Sequence, residues 1–170
     1  MQTAKEAVKA KRNYFWTISR TEAAMQTVKE VLQIKGNNVW TISKDDTVYR
    51  ALEIMNKKGV GALPITNSAR QVIGILSERD YARKVILEGK ASRNTLVKDI
   101  MATDIYVVKP TNKLDECMAI MTEKRVRHLP VVENGKLVGI ISIGDVLKAI
   151  ISEQHIMINH LENYIQGKYV

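Results

Sequence analysis

From Thr47 onward, apolar residues recur at helical spacing as Val48, Ala51, Leu52 and Met55, and the same set returns 66 positions later as Leu114, Cys117, Met118 and Met121. Each stretch leads into an apolar run built around a Leu-Pro pair, "GVGALPIT" at 59–66 and "KRVRHLPVV" at 124–132. A second apolar run follows, "QVIGILSERD" at 71–80 and "KLVGIISIGD" at 136–145, now offset by 65, which places a one-residue difference in the connecting turn. The turns "NSAR" (67–70) and "ENGK" (133–136) carry the Asn, Ser and Gly that tight turns need. Gly59 falls where a helix C-terminus takes a left-handed residue. Ahead of each helix stands a β-rich run, "VWTIS" or "IYVVK". Each half therefore predicts β-α-β-β-α. The fold class that follows is α/β (α+β), with two such motifs packed as a pseudo-two-fold pair.

Two further patterns frame the pair. After Asp145 no breaker interrupts the chain before Gly167, and Leu147, Ile151, Ile158, Leu161 and Ile165 fall three, four or seven apart or at multiples of these, predicting a long amphipathic C-terminal helix with an apolar face left over for a partner helix. At the other end, residues 1–22 repeat residues 25–46 with 11 identities in 22 positions, including Trp-Thr-Ile-Ser at 16–19 and 40–43. Since Val39–Ile42 holds the first strand of the larger repeat, the copy starting at Met25 is the structural one. Its helix-face residues Val28, Val31, Leu32 and Ile34 become Ala4, Ala7, Val8 and Ala10 in the first copy, which removes much of the apolar area that would anchor it. A weakly docked helix at about residues 3–11 is expected there, with Phe15–Ile18 available as an edge strand. The expected organisation is an extension at 1–24, a first domain at 25–90 and a second at 91–170, with the polar connector "EGKASRNTL" (88–96) around the boundary.

Composition narrows the classes. At 170 residues, 45% hydrophobic and 26% charged, the chain can bury one sizeable core or two small ones. It has no stretch of roughly 20 apolar residues for a membrane span and no apolar signal centre, so a cytoplasmic protein is expected. The single Cys117 shares a helical face with Leu114, Met118 and Met121 and reads as core packing. His155 and His160, five apart, do not share a helical face well, and no metal site is expected. The net charge of +8 admits nucleic acid or phosphorylated ligands, but only 5% of residues are aromatic and no basic recognition helix is present. Nucleic acid is not expected as a partner.

The chemistry concentrates where each second strand ends. Both halves close on Gly-apolar-apolar-Ser-x-x-Asp, "GILSERD" and "GIISIGD", which sets a hydroxyl and a carboxylate at the top of a strand and the start of a helix. The bland reading is that Ser77 with Asp80, and Ser142 with Asp145, cap two helices. The chemical reading uses the two oxygens of a carboxylate to accept both hydroxyls of a vicinal diol such as a ribose, with the Ser hydroxyl and free helix N–H groups serving phosphate.

Two β-α-β-β-α units with this signature, together with the "DIM" at 99–101, resemble a tandem pair of cystathionine-β-synthase (CBS) domains, a Bateman module, over roughly residues 25–166. The resemblance implies a non-catalytic regulatory module that binds AMP, ADP, ATP or NAD(H) between its domains. It implies ribose contacts from Asp80 and Asp145 with Ser77 and Ser142 beside them, phosphate contacts from Arg127 and His128, and adenine contacts around Asn38, Val39, Thr103 and Ile105. Arg79, with Arg83 and Lys84, either adds phosphate charge or forms an exposed helix face. Gly61 and Ala62 stand where the second half has Arg127 and His128, so an asymmetric cleft is expected. No cofactor beyond the adenosyl ligand is required, a homodimer is implied, and a regulated effector would be a separate protein. The competing readings are a nucleotide-acting enzyme, since such pairs accompany inosine-monophosphate dehydrogenase, and a nucleic-acid-binding protein.

Overall fold

The computed structural model describes residues 27–165, apart from the side chains at 160, 161, 163 and 164. The helix and edge strand expected within residues 1–24, the side chain of Leu161 and the helix end at Gly167 lie outside the described residues. Residues 26–149 form one compact unit, which holds both halves of the repeat, and the described residues 150–165 fall outside it.

Local chemistry starts and stops the elements. Helix α1 spans Val28–Lys35, and α2 spans Val48–Lys58. Thr47 caps α2 by accepting the Arg50 N–H at 3.2 Å, and Gly59 ends it at φ 64° and ψ 37°, the left-handed residue expected there. Strands β1 (Ala62–Thr66) and β2 (Val72–Ser77) form an antiparallel hairpin. Helix α3 (Glu78–Tyr81) passes into a π-helical turn at Ala82–Ile86, so the single second helix expected for this half is shorter and wider than the pattern implied. The turn keeps Val85 fully buried while Lys84 donates to the Ile100 carbonyl at 2.7 Å. The second half follows with α4 (Val97–Ile100), α5 (Leu114–Glu123), β3 (His128–Glu133), β4 (Lys136–Ser142) and α6 (Ile143–Ile165). Asn134 and Gly135, both at positive φ, make the two-residue loop of the β3–β4 hairpin, the geometry an Asn-Gly pair favours.

The first strand of each half contracts to one rung. Ile42 bridges Ile65 and Val108 bridges Val131, both in parallel, and neither "VWTIS" nor "IYVVK" continues as a strand. Proline is the reason. The Ile42 N–H donates to the Pro64 carbonyl and the Val108 N–H to the Pro130 carbonyl, so the preceding bond of each parallel ladder, on its N-terminal side, would have to come from a proline nitrogen that has no hydrogen, while on the other side the Val132 N–H still donates to the Val108 carbonyl at 2.8 Å.

The halves exchange their opening segments. Val97 N–H donates to the Asp46 carbonyl and Lys98 N–H to the Lys44 carbonyl, which places Val97 and Ile100 in the core of the first half with Ile42, Val48, Met55, Leu63 and Leu76. Correspondingly, Val28 N–H donates to the Asn112 carbonyl and Lys29 N–H to the Pro110 carbonyl, 66 residues on, and Leu32 packs over Gly139 of β4. Val28, Val31 and Leu32 are buried as their pattern predicts, but Ile34 is 55% exposed.

Helix α6 departs from its expected stripe at Leu147, keeps Ile151 partly buried, and leaves Ile158 and Ile165 on the face expected to be left over. Val146 and Ala149 are buried, whereas Leu147, Ile158 and Ile165 are at least half exposed. No helix among the described residues is long and apolar enough to cross a membrane.

Candidate functional site

Each signature folds as a reciprocal cap. In the first half the Ser77 N–H and hydroxyl donate to Asp80 Oδ2 at 3.1 and 2.5 Å, and the Asp80 N–H donates back to Ser77 Oγ at 3.3 Å. The second half repeats this, with Ser142 N–H and hydroxyl on Asp145 Oδ2 at 2.7 and 2.8 Å and the Asp145 N–H on Ser142 Oγ at 3.2 Å. The glycine of the signature has its own reason. A Cβ at Gly74 would lie 2.7 Å from the Met101 sulfur and 3.2 Å from the Ala102 carbonyl oxygen, so any side chain there would push back the exchanged segment that lies on β2.

Above the first signature a cleft with a cavity volume of about 280 Å³ is lined by residues of both halves. Ser77, Arg79 and Asp80 come from the first half, and Ile105, Arg127 and His128 from the second. Arg83 also lines it, which resolves one of the two readings of that helix in part: Arg79 and Arg83 face the cleft, whereas Lys84 turns inward to Asp80 Oδ1 at 3.3 Å and the Ile100 carbonyl. Thr103 is not among the lining residues, although its neighbours Ala102 and Asp104 are. Burial, the Lys35 charge and the Arg127 charge outweigh Asp145 and hold His128 below its ordinary range, so its imidazole is neutral at pH 7 and can donate one hydrogen bond.

The remaining predicted residues sit elsewhere. Ser142 and Asp145 do not line this cleft, and neither do Asn38 and Val39. Val39 lines a second, open cavity with Asn37, Thr41, Thr66, Arg70 and Lys136. The Asp145 carboxylate is met by Lys35, whose Nζ lies 2.5 Å from Oδ2 and also donates to the Ile140 carbonyl at 3.2 Å. Burial raises the Asp145 carboxyl, but the Lys35 ammonium and the two Ser142 donors more than offset it, and the net shift is downward. The Cys117 thiol is pushed up to about 11, chiefly by burial, and is protonated at neutral pH, in keeping with core packing. Among the described residues no three His, Cys, Asp or Glu side chains converge on a metal site.

Two copies of one unit, each closed by the same Ser–Asp cap and covered by the other's opening segment, are matched by the family model described as CBS domain at residues 27–86 and 97–152. The chain belongs to the CBS-domain family. A mitochondrial CBS domain-containing protein of Arabidopsis thaliana, CBSX3, is 41% identical over 129 residues, 74% of this chain and 63% of the relative. The chain thus spans less than two thirds of that relative, and 48% and 33% of two archaeal ones. Among solved structures, a putative signal-transduction protein with CBS domains from Burkholderia ambifaria MC40-6 is 46% identical, with TM-score 0.71 over 75% of this chain and 96% of that one. The CBS domain pair of protein MJ0100, in complex with 5′-methylthioadenosine and S-adenosyl-L-methionine, shares the fold at 20% identity, with TM-score 0.65 over 76% of this chain and 98% of that one. CBS domain pairs are commonly regulatory and ligand-binding, and those that stand alone are generally regulatory rather than catalytic.

The cleft is also lined by residues outside the set that the CBS resemblance implied. Arg125, Asp104, Tyr106 and Glu78 line the cleft. Arg125 had a signal, since it occupies the position of Gly59 in the 66-residue repeat. Lys35 had none, because its partner lies 110 residues away and only the exchange of segments between the CBS units brings them together.

Proposed function

We propose that the chain is a non-catalytic regulatory module that holds one adenosyl ligand, of the class AMP, ADP, ATP or NAD(H), in the cleft above Ser77 and Asp80, and passes its occupancy to a separate effector. One observation carries this reading: a carboxylate suited to a ribose diol and the cations suited to phosphate, Asp80 from one CBS unit and Arg127 with His128 from the other, line a single cleft. Ile105, with Ala102, supplies an apolar edge for adenine. A ligand held by both units shifts their balance only by binding one arrangement better than another. That is the energetic content of the regulation.

Dimer formation belongs to the same proposal. Ile86 and Leu87 after α3, and Ile143 and Leu147 on α6, are exposed apolar side chains on helical segments at the ends of the two signatures, and we assign them to a homodimer interface. The compartment is proposed as cytoplasmic; cell fractionation decides between this and the mitochondrial address named for the Arabidopsis relative.

The ligand test is native mass spectrometry of the purified protein followed by calorimetry with AMP and ADP. An adenosyl compound should be carried or bound, and Asp80→Asn should weaken it by roughly tenfold or more, the effect of removing one charge-assisted interaction. Because Asp80 also caps α3, a thermal melt accompanies the variant. Unchanged affinity in a folded Asp80→Asn protein would refute the ribose role.

A further inference from the structure

The second signature carries the same Ser–Asp cap as the first, but where Asp80 is met at 3.3 Å by Lys84 of the residues just after its own helix, Asp145 is met at 2.5 Å by Lys35 from a segment 110 residues away. Lys35 ends α1, which runs one turn longer than its counterpart α4. The two helices are in register through Val28 and Val97, whose N–H groups bond carbonyls 66 residues apart, so the residue matching Lys35 is Asp104. In the first half the backbone itself continues along β2, where the Ala102 N–H donates to the Ile75 carbonyl at 2.9 Å. In the second half α1 keeps winding, and the Lys35 ammonium takes over that bond by donating to the Ile140 carbonyl at 3.2 Å. The same ammonium then reaches Asp145 Oδ2 at 2.5 Å. Asp104 can do neither, being an acceptor, and it lines the open cleft instead.

We propose that Lys35 is a built-in plug: it occupies the second ribose seat at Asp145 and limits the CBS pair to one ligand per chain. The inference rests on the adenosyl reading above and adds to it the residue that sets stoichiometry. The Oδ2 atom takes three donors, Ser142 N–H, Ser142 Oγ–H and Lys35 Nζ, so a diol that binds both oxygens of this carboxylate must displace a cation that α1 and the Ile140 carbonyl hold in place. At Asp80 the corresponding cation, Lys84, is farther, at 3.3 Å, and lies on Oδ1.

The test measures ADP stoichiometry by calorimetry and native mass spectrometry on the full chain. The wild type should bind one ADP, Lys35→Met should bind two with the first site's affinity unchanged within about threefold, and Lys35→Met with Asp145→Asn should return to one. Lys35→Ala, which truncates the same side chain, should likewise bind two and keeps the experiment decisive if Lys35→Met melts early. Two ADP bound by the wild type, with one lost in Lys35→Met, would overturn the proposal by making Lys35 a ligand contact. One ADP bound by Lys35→Met would overturn it as well. Absence of any binding to the wild type would strike the adenosyl reading itself, and the plug with it.

Discussion

At the scale of single residues, the two halves form an internal experiment, since equivalent positions do the same backbone work with different side chains. Gly59 and Arg125 both follow a helix in the left-handed region, at φ 64° and 54°, and the flanking bonds are alike: Val60 N–H to Met55 and Val126 N–H to Met121, each at 3.0 Å. An arginine there carries a backbone cost that glycine avoids. Arg125→Gly should therefore raise stability by about 1 kcal/mol, and Gly59→Ala should lower it by a similar amount, in urea unfolding. Equal and negligible effects would mean the backbone relaxes at both positions. Arg125 lines the cleft whereas Gly59 does not, so the less favourable residue stands where its cation faces the cleft.

At the scale of elements, much was legible and the failures share a cause. The repeat located the hairpins, both helices that open a half's core, and the caps at Ser77 and Ser142, because each depends on residues a few positions apart. The first strands were misjudged, because "VWTIS" and "IYVVK" have strand composition while the ladder is decided by prolines in another strand. Helix α6 shows the same limit. In its first turns Leu147 is half exposed and the neighbouring Val146 and Ala149 face the core, because the exit angle from β4 fixes the helix rotation and no spacing within the helix encodes that angle. Val146→Ala should thus cost about 1–3 kcal/mol, the loss expected of a fully buried aliphatic, while Leu147→Ala should change monomer stability by less than about 0.5 kcal/mol. Leu147→Glu tests the surface differently: it should shift the sedimentation of a dimer toward monomer.

At the scale of the whole molecule, the site joins parts that lie far apart in the chain. The cleft needs residues 77–83 and 102–128 together, and the second carboxylate is answered from residue 35, so signature motifs revealed the chemistry of the site but not its partners. Thermal unfolding of residues 26–149 should accordingly be one cooperative transition by both calorimetry and circular dichroism, with two separable transitions as the contrary result. The exchange of opening segments carries this further. Each CBS unit wears a helix encoded next to its sibling, so a gene severed near codon 90 would yield two polypeptides that each lack their proper cover and each expose an apolar groove. Neither fragment alone should be recovered in the supernatant, and producing both in the same cell should rescue a non-covalent pair that still takes up the ligand.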